Sequence, residues 1–166
     1  MALFASAVLA ADLRDEKDPA RVASVFPARA ELRLLNVWAT WCIPCVEEMP
    51  DLEAIRAAFG PELAVAGVSL DDMVPGTRRD TVVRFLQDRH ITFPNVYYTG
   101  LPDALGEELN FRGEIPVTIV YDRNGKEVWR HEGRIDREKT IAELRKLLNS
   151  SRAKQSRKPG TGTGKS

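Results

Sequence analysis

The chain has 166 residues, with 24 Lys and Arg, 24 Asp and Glu, two His and two Cys. That length suits one domain with a core of its own, and two cysteines exclude both a disulfide-dense secreted scaffold and a four-cysteine zinc site. The formal net charge of zero hides a division: residues 150–166 hold five basic residues and no acid, leaving 19 basic against 24 acidic residues in the other 149.

Residues 1–11 (MALFASAVLAA) carry no charged side chain. The run is too short to span a bilayer, which needs roughly 20 apolar residues. It suits the apolar region of a secretory signal, with small residues at Ala5, Ser6, Ala7, Ala10 and Ala11 for cleavage, although a basic leader is missing. A packed or frayed apolar start, or the inner part of a longer export or anchor segment, is the alternative.

Residues 12–149 change period along the chain as an α/β domain does. Asp18-Pro19 starts a short helix over 19–26. Leu32–Ala39 is an almost unbroken apolar run, which predicts a strand buried on both faces. Residues 43–59 place Cys45, Met49, Leu52, Ile55 and Phe59 on one helical face, and Gly60-Pro61 ends that helix. Leu63–Leu70 predicts a second buried strand, and 78–89 a helix burying Val82, Val83, Phe85 and Leu86. Segment 91–115, with Pro94 and Gly100-Leu101-Pro102, reads as irregular apart from a helix at 103–110. Val117–Tyr121 and Lys126–Glu132 form a hairpin around Asn124-Gly125. The last helix begins at Asp136 and buries Ile141, Leu144, Leu147 and Leu148. No internal repeat and no transmembrane helix is found. The expected architecture is a mixed β-sheet with helices on both faces. The expected boundaries are 1–11, a domain over 12–149, and a disordered basic tail over 150–166.

Both cysteines fall in Trp41-Cys42-Ile43-Pro44-Cys45, where a buried strand gives way to a helix. Backbone N–H groups at a helix N-terminus lack partners and carry partial positive charge, so a thiolate at Cys42 is favoured there. Cys45, one turn further in, is expected to be more buried and able to attack a mixed disulfide on an exposed Cys42. Pro44 loses nothing in the first turn. This is the arrangement that dithiol–disulfide exchange requires.

Other uses of the pair fit less well. A structural bridge over so short a loop stabilises little. Zinc lacks two more ligands, since His90 and His131 are far from finger spacing. Haem attachment needs His where Val46 stands. A peroxidatic site lacks a further resolving cysteine. Cu(I) binding by the two thiolates stays open, as does an inert disulfide in a plain binding domain.

The segment Asn36-Val37-Trp38-Ala39-Thr40-Trp41-Cys42-Ile43-Pro44-Cys45-Val46-Glu47-Glu48-Met49-Pro50 resembles the active-site region of TlpA/ResA-type thioredoxin-fold thiol–disulfide oxidoreductases, which are exported bacterial proteins. The resemblance continues through Gly67–Asp71, Ile91–Pro94, Ile115-Pro116 and Asp122–Lys126. It implies a thioredoxin-like fold in which 91–115 is an element inserted before the strand of a cis-proline. That proline is Pro116, packed on the redox disulfide Cys42–Cys45, where it keeps metals off the thiolates while the backbone at Ile115 pairs with substrate. It further implies that Glu48 handles protons, standing in for the buried Asp that thioredoxins carry at the position of Asn36. Glu47 is read as an exposed first-turn acid. Trp41, Ile43, Pro44 and Ile115 become the docking patch, while Trp38 and Trp129 are structural.

The resemblance departs at 12–31, which lacks the family's opening hairpin, and no cysteine near the start offers a lipid site. The function expected is reduction of protein disulfides in a periplasmic or otherwise exported setting, by a monomer fed from a membrane thiol donor. Apocytochrome c maturation or copper-site cysteines are the implied targets. An oxidase or isomerase of the same fold is the rival, because Ile43-Pro44 does not set the direction. No cofactor and no metal is expected. No nucleic acid or nucleotide is expected either: the tail's Gly164-Lys165-Ser166 resembles a phosphate loop, but Pro159 stands where its first Gly belongs and no helix follows.

Overall fold

All seven residues of strand β3 (Leu63–Ser69) are buried, as are six of the seven in β2 (Leu32–Trp38). Strands with no polar face need cover on both sides, and the helices α1 (Ile43–Phe59), α2 (Arg79–Asp88), α3 (Pro102–Glu108) and α4 (Arg137–Ser156) supply it. The computed structural model describes residues 12–27 and 30–156. The signal-like segment 1–11 and residues 157–166 of the tail lie outside the described residues.

The sheet has six strands in the order β1-β4-β3-β2-β5-β6, with β1 at Leu13–Glu16, β4 at Asn95–Tyr98, β5 at Val117–Asp122 and β6 at Glu127–Glu132. β2 runs parallel to β3, with Leu32 opposite Leu63 and Trp38 opposite Ser69. β3 is parallel to β4, and β4 to β1. β5 runs antiparallel to both β2 and β6, with Val37 opposite Val117. The carboxyl ends of β2 and β3 and the start of β5 therefore meet at one end of the sheet. Loops that follow parallel strands gather there, which is where α/β proteins place their chemistry.

The predicted strands and helices at 32–39, 43–59, 63–70, 78–89, 117–121 and 126–132 are present within a residue or two. The short helix at 19–26 is a 3-10 helix over Pro19–Val25, with Asp18 accepting from the Ala20 N–H at 3.1 Å. Three differences stand out. β1 (Leu-Arg-Asp-Glu) shows no apolar alternation because it is a charged edge strand, tied down by Arg79, whose guanidinium reaches Asp15 and the Leu13 carbonyl. β4 lies inside the segment read as irregular: four residues are too few to show a period, though all four are buried. The tail expected to be disordered from residue 150 is helical as far as Ser156. Ser151–Ser156 contains neither Gly nor Pro, and Arg152 pairs with Glu62. Among the described residues, no helix is long and apolar enough to cross a membrane.

One glycine fixes how β2 enters the site. Trp38, at the end of β2, donates its indole N–H to Asn95 Oδ1 at 3.0 Å, and Asn95 Nδ2 donates to the Phe93 carbonyl at 3.0 Å. The Trp38 ring also meets Phe85 of α2, with centroids 5.2 Å apart. A Cβ on Gly67 would overlap Asn95 Oδ1 and stand 2.8 Å from Trp38 Nε1. Gly67→Ala is expected to destabilise the protein by about 2 kcal/mol, the usual penalty for overfilling a packed interior. A urea midpoint unchanged from the parent would refute this account of the bridge.

Candidate active site

The site begins where β2 stops. Trp38–Cys42 turns from the sheet into α1, and Cys42 caps the helix. Capping residues are ordinarily Ser, Thr, Asp or Asn, whose oxygen accepts an orphan N–H. Here Cys42 Sγ takes that place, accepting from the Cys45 N–H at 3.3 Å. Pro44, in the first turn, has no N–H to leave unpaired. Cys42 and Cys45 are joined by a disulfide of 2.08 Å, with Cα atoms 5.3 Å apart.

The turn is held from beneath by Asp71, which is fully buried. Its carboxylate accepts the Thr40 N–H at 3.1 and 3.2 Å, the Thr40 hydroxyl, and the Ser69 hydroxyl at 2.7 Å. Leu70 N–H donates to the Trp38 carbonyl at 2.9 Å, locking the ends of β2 and β3 together. Asp71, Thr40 and Ser69 lie in stretches that carry the family resemblance but form no pattern that reveals this clamp. The only signal for it is an acid just beyond a fully buried strand that ends in Ser69.

On the opposite side stands the Ile115-Pro116 peptide, which is cis. The Ile115 carbonyl oxygen is 3.8 Å from Cys42 Sγ, and Pro116 is buried at the start of β5. Its own carbonyl accepts from Gly133 N–H at 2.8 Å. Cys45 is fully buried, as expected. Cys42, expected to be exposed, is only 6% accessible. The disulfide turns its sulfur inward against Cys45 and Ile115, so its neighbours make the surface instead: Trp41 is 48% and Ile43 72% accessible, and Pro44 is exposed. Trp41 also lines a groove of about 670 Å³ with Met73, Val74, Pro102 and Phe111, so part of segment 91–115 borders the site.

Glu48, in the second turn of α1, is completely buried. Its Oε1 accepts from Asn36 Nδ2 at 2.7 Å and its Oε2 from the Ile135 N–H at 2.9 Å. Asn36 Nδ2 also reaches Thr118 Oγ1 at 3.2 Å. Burial pushes the Glu48 carboxyl up to about 7. The hydrogen bonds from Ile135 and Asn36 and the charge of Arg134 oppose the rise, and Asp51 adds to it. Glu47, by contrast, is exposed and pairs with Arg134 at 2.6 Å. Trp38 is buried in the core, whereas Trp129 is half-buried and stacks on His131 in β6.

No family model matches the sequence. The thiol:disulfide interchange protein DsbE of Vibrio cholerae is 33% identical over 127 residues, covering 75% of this chain and 62% of that protein. The thiol–disulfide oxidoreductase ResA of Geobacillus thermodenitrificans is 32% identical over 94 residues, covering 55% of this chain and 49% of ResA. This chain is homologous to the ResA and DsbE thiol–disulfide oxidoreductases. It spans about half to three-fifths of their length. A solved structure of a thioredoxin-like superfamily protein superposes with a TM-score of 0.62 at 24% identity, covering 73% of this chain and 82% of the other. The fold is thioredoxin-like.

The titration of Glu48 has a measurable consequence. Unfolded, its carboxyl ionises near its ordinary value of 4.5; folded, it keeps its proton up to about 7. Between those values the folded protein holds the extra proton, so this group's stabilising contribution is complete below 4.5 and is lost as pH rises through 7. Glu48→Gln is expected to remove this decline, worth roughly 3 kcal/mol between the two limits. Urea unfolding of the oxidised protein across pH 4 to 9 checks it, and parallel curves for parent and variant would rule it out.

Proposed function

We propose that this protein is an exported thiol–disulfide oxidoreductase that reduces disulfides in other exported proteins. One observation carries the reading: the Cys42–Cys45 disulfide caps a helix, with an amide N–H on Cys42 Sγ and the fully buried Cys45 behind it. In the reduced protein, that N–H and the helix end favour a negative sulfur on Cys42. The Cys42 thiolate attacks a substrate disulfide, forming a mixed disulfide and expelling one substrate thiolate. The Cys45 thiol gives its proton to the Glu48 carboxylate and attacks Cys42 Sγ, which expels the second substrate thiolate. Two electrons have then passed to the substrate, and the Cys42–Cys45 bond has closed.

The surroundings suit the same task. Trp41, Ile43 and Pro44 offer an apolar rim for docking, and the Ile115 main chain beside Cys42 offers pairing to an extended substrate segment. Pro116 fixes that segment against the sulfurs and excludes metals from them. The ResA and DsbE likeness supports a membrane thiol carrier as electron donor, and apocytochrome c or copper-site cysteines as substrates. The protein acts as a monomer and uses no cofactor, nucleotide or nucleic acid.

Insulin reduction driven by dithiothreitol tests the mechanism. Cys42→Ser is expected to fall to the uncatalysed rate, and Cys45→Ser to accumulate a mixed disulfide with its substrate on Cys42. Retained turnover in Cys42→Ser would end the proposal. The direction is checked by equilibrating the disulfide against glutathione, where a potential near that of DsbA-like oxidants would make the protein an oxidase instead.

A further inference from the structure

Among the described residues, both groups hydrogen-bonded to Glu48 are donors: the Asn36 amide on Oε1 and the Ile135 backbone N–H on Oε2. That pair suits a carboxylate. A neutral carboxyl adds an O–H donor of its own and needs an acceptor. A backbone N–H cannot become one. A side-chain amide can, because a half-turn about its last torsion exchanges NH2 for a carbonyl of nearly the same size.

The surroundings of Asn36 permit that turn. Its Oδ1 is buried and has no hydrogen-bond partner among the described residues, so no donor there holds the amide in one orientation, and the turn places its NH2 in that position. On the near side, Thr118 Oγ1 is 3.2 Å from Nδ2, and a hydroxyl accepts from NH2 as readily as it donates to a carbonyl. Both orientations are thus served in front, and among the described residues the back of the amide is unpaired in either one.

We propose that the Asn36 side chain is a reversible hydrogen-bond partner for Glu48, facing the carboxylate with its NH2 and the neutral acid with its carbonyl. Asn36 is a positioning residue: it touches no reacting sulfur and acts through Glu48. The inference deepens the proposed function and rests on Glu48 as proton acceptor for Cys45. A proton taken up on Oε1 then finds an acceptor at once, and its release restores the donor. The charges that act on Glu48 are Arg134 of the β6–α4 loop, itself paired with Glu47, and Asp51 of α1, itself paired with Arg137 of α4. They bias the proton's affinity, Arg134 downward and Asp51 upward, while β2 and β5 contribute the uncharged Asn36 and Thr118.

NMR of the full-length, isotope-labelled, oxidised protein tests the turn without relying on turnover. At pH 9 the Asn36 NH2 protons are expected to show strong cross-peaks to the Thr118 side chain. At pH 5 these should weaken at least fivefold, with the same midpoint as the Glu48 carboxyl carbon. In Glu48→Gln the new amide must accept from Ile135 through its carbonyl, so its NH2 faces Asn36 and the weak pattern should appear at both pH values. Cross-peaks unchanged between pH 9 and pH 5 would overturn the inference, whether or not the variant folds. That failure is separable from failure of the proposed function, since an active Cys42→Ser protein would sink the latter and leave the amide's turn standing.

Discussion

A single buried carboxyl holds this site in register. Glu48 joins α1 to β2 through Asn36 and to the loop before α4 through the Ile135 N–H. These contacts span segments separated by 12 and 87 residues. A helix that presents cysteines at its first turn must be fixed in depth and rotation, or its sulfurs drift from Ile115. Apolar packing alone sets that position loosely; a carboxyl with one oxygen on the sheet and the other on a loop sets it by direction as well.

Two buried acids divide the work. Asp71 receives the Thr40 amide and hydroxyl and the Ser69 hydroxyl, a set of donors that makes it a clamp on the turn before Cys42. Glu48 receives two, from Asn36 and Ile135, and burial pushes its carboxyl up to about 7. The same functional group therefore ties the turn before Cys42 in one place and ties α1 to β2 and the loop before α4 in another.

The sequence made much of this legible, and the reasons for the gaps are physical. Helix α1 was readable because its apolar positions recur at helical spacing and glycine ends it. β2 and β3 were readable as unbroken apolar runs. The two short strands were not: β1 is polar because it lies at an edge, and β4 spans only four residues between prolines and glycine. At the site, the cysteine pair and Glu48 share one helix, so local spacing brought them together. The role of Asp71 depends on β2 and β3 ending side by side, a contact across 31 residues that no local pattern encodes. Asn36 stands out in the sequence only for what it is not, an aspartate; its contact with Thr118 spans 82 residues and shows only in the folded chain.

The run of α4 to Ser156 bears on how the molecule can be handled. Its last turns reach Glu62, through Arg152, at the amino end of β3. The disulfide lies beyond the carboxyl end of the neighbouring strand, and seven strand residues span roughly 20 Å. The end of that helix and the sulfurs thus lie at opposite poles of the sheet. A resin, sensor chip or fused reporter joined near the carboxyl end of α4 would leave the redox face turned outward, toward whatever protein approaches it.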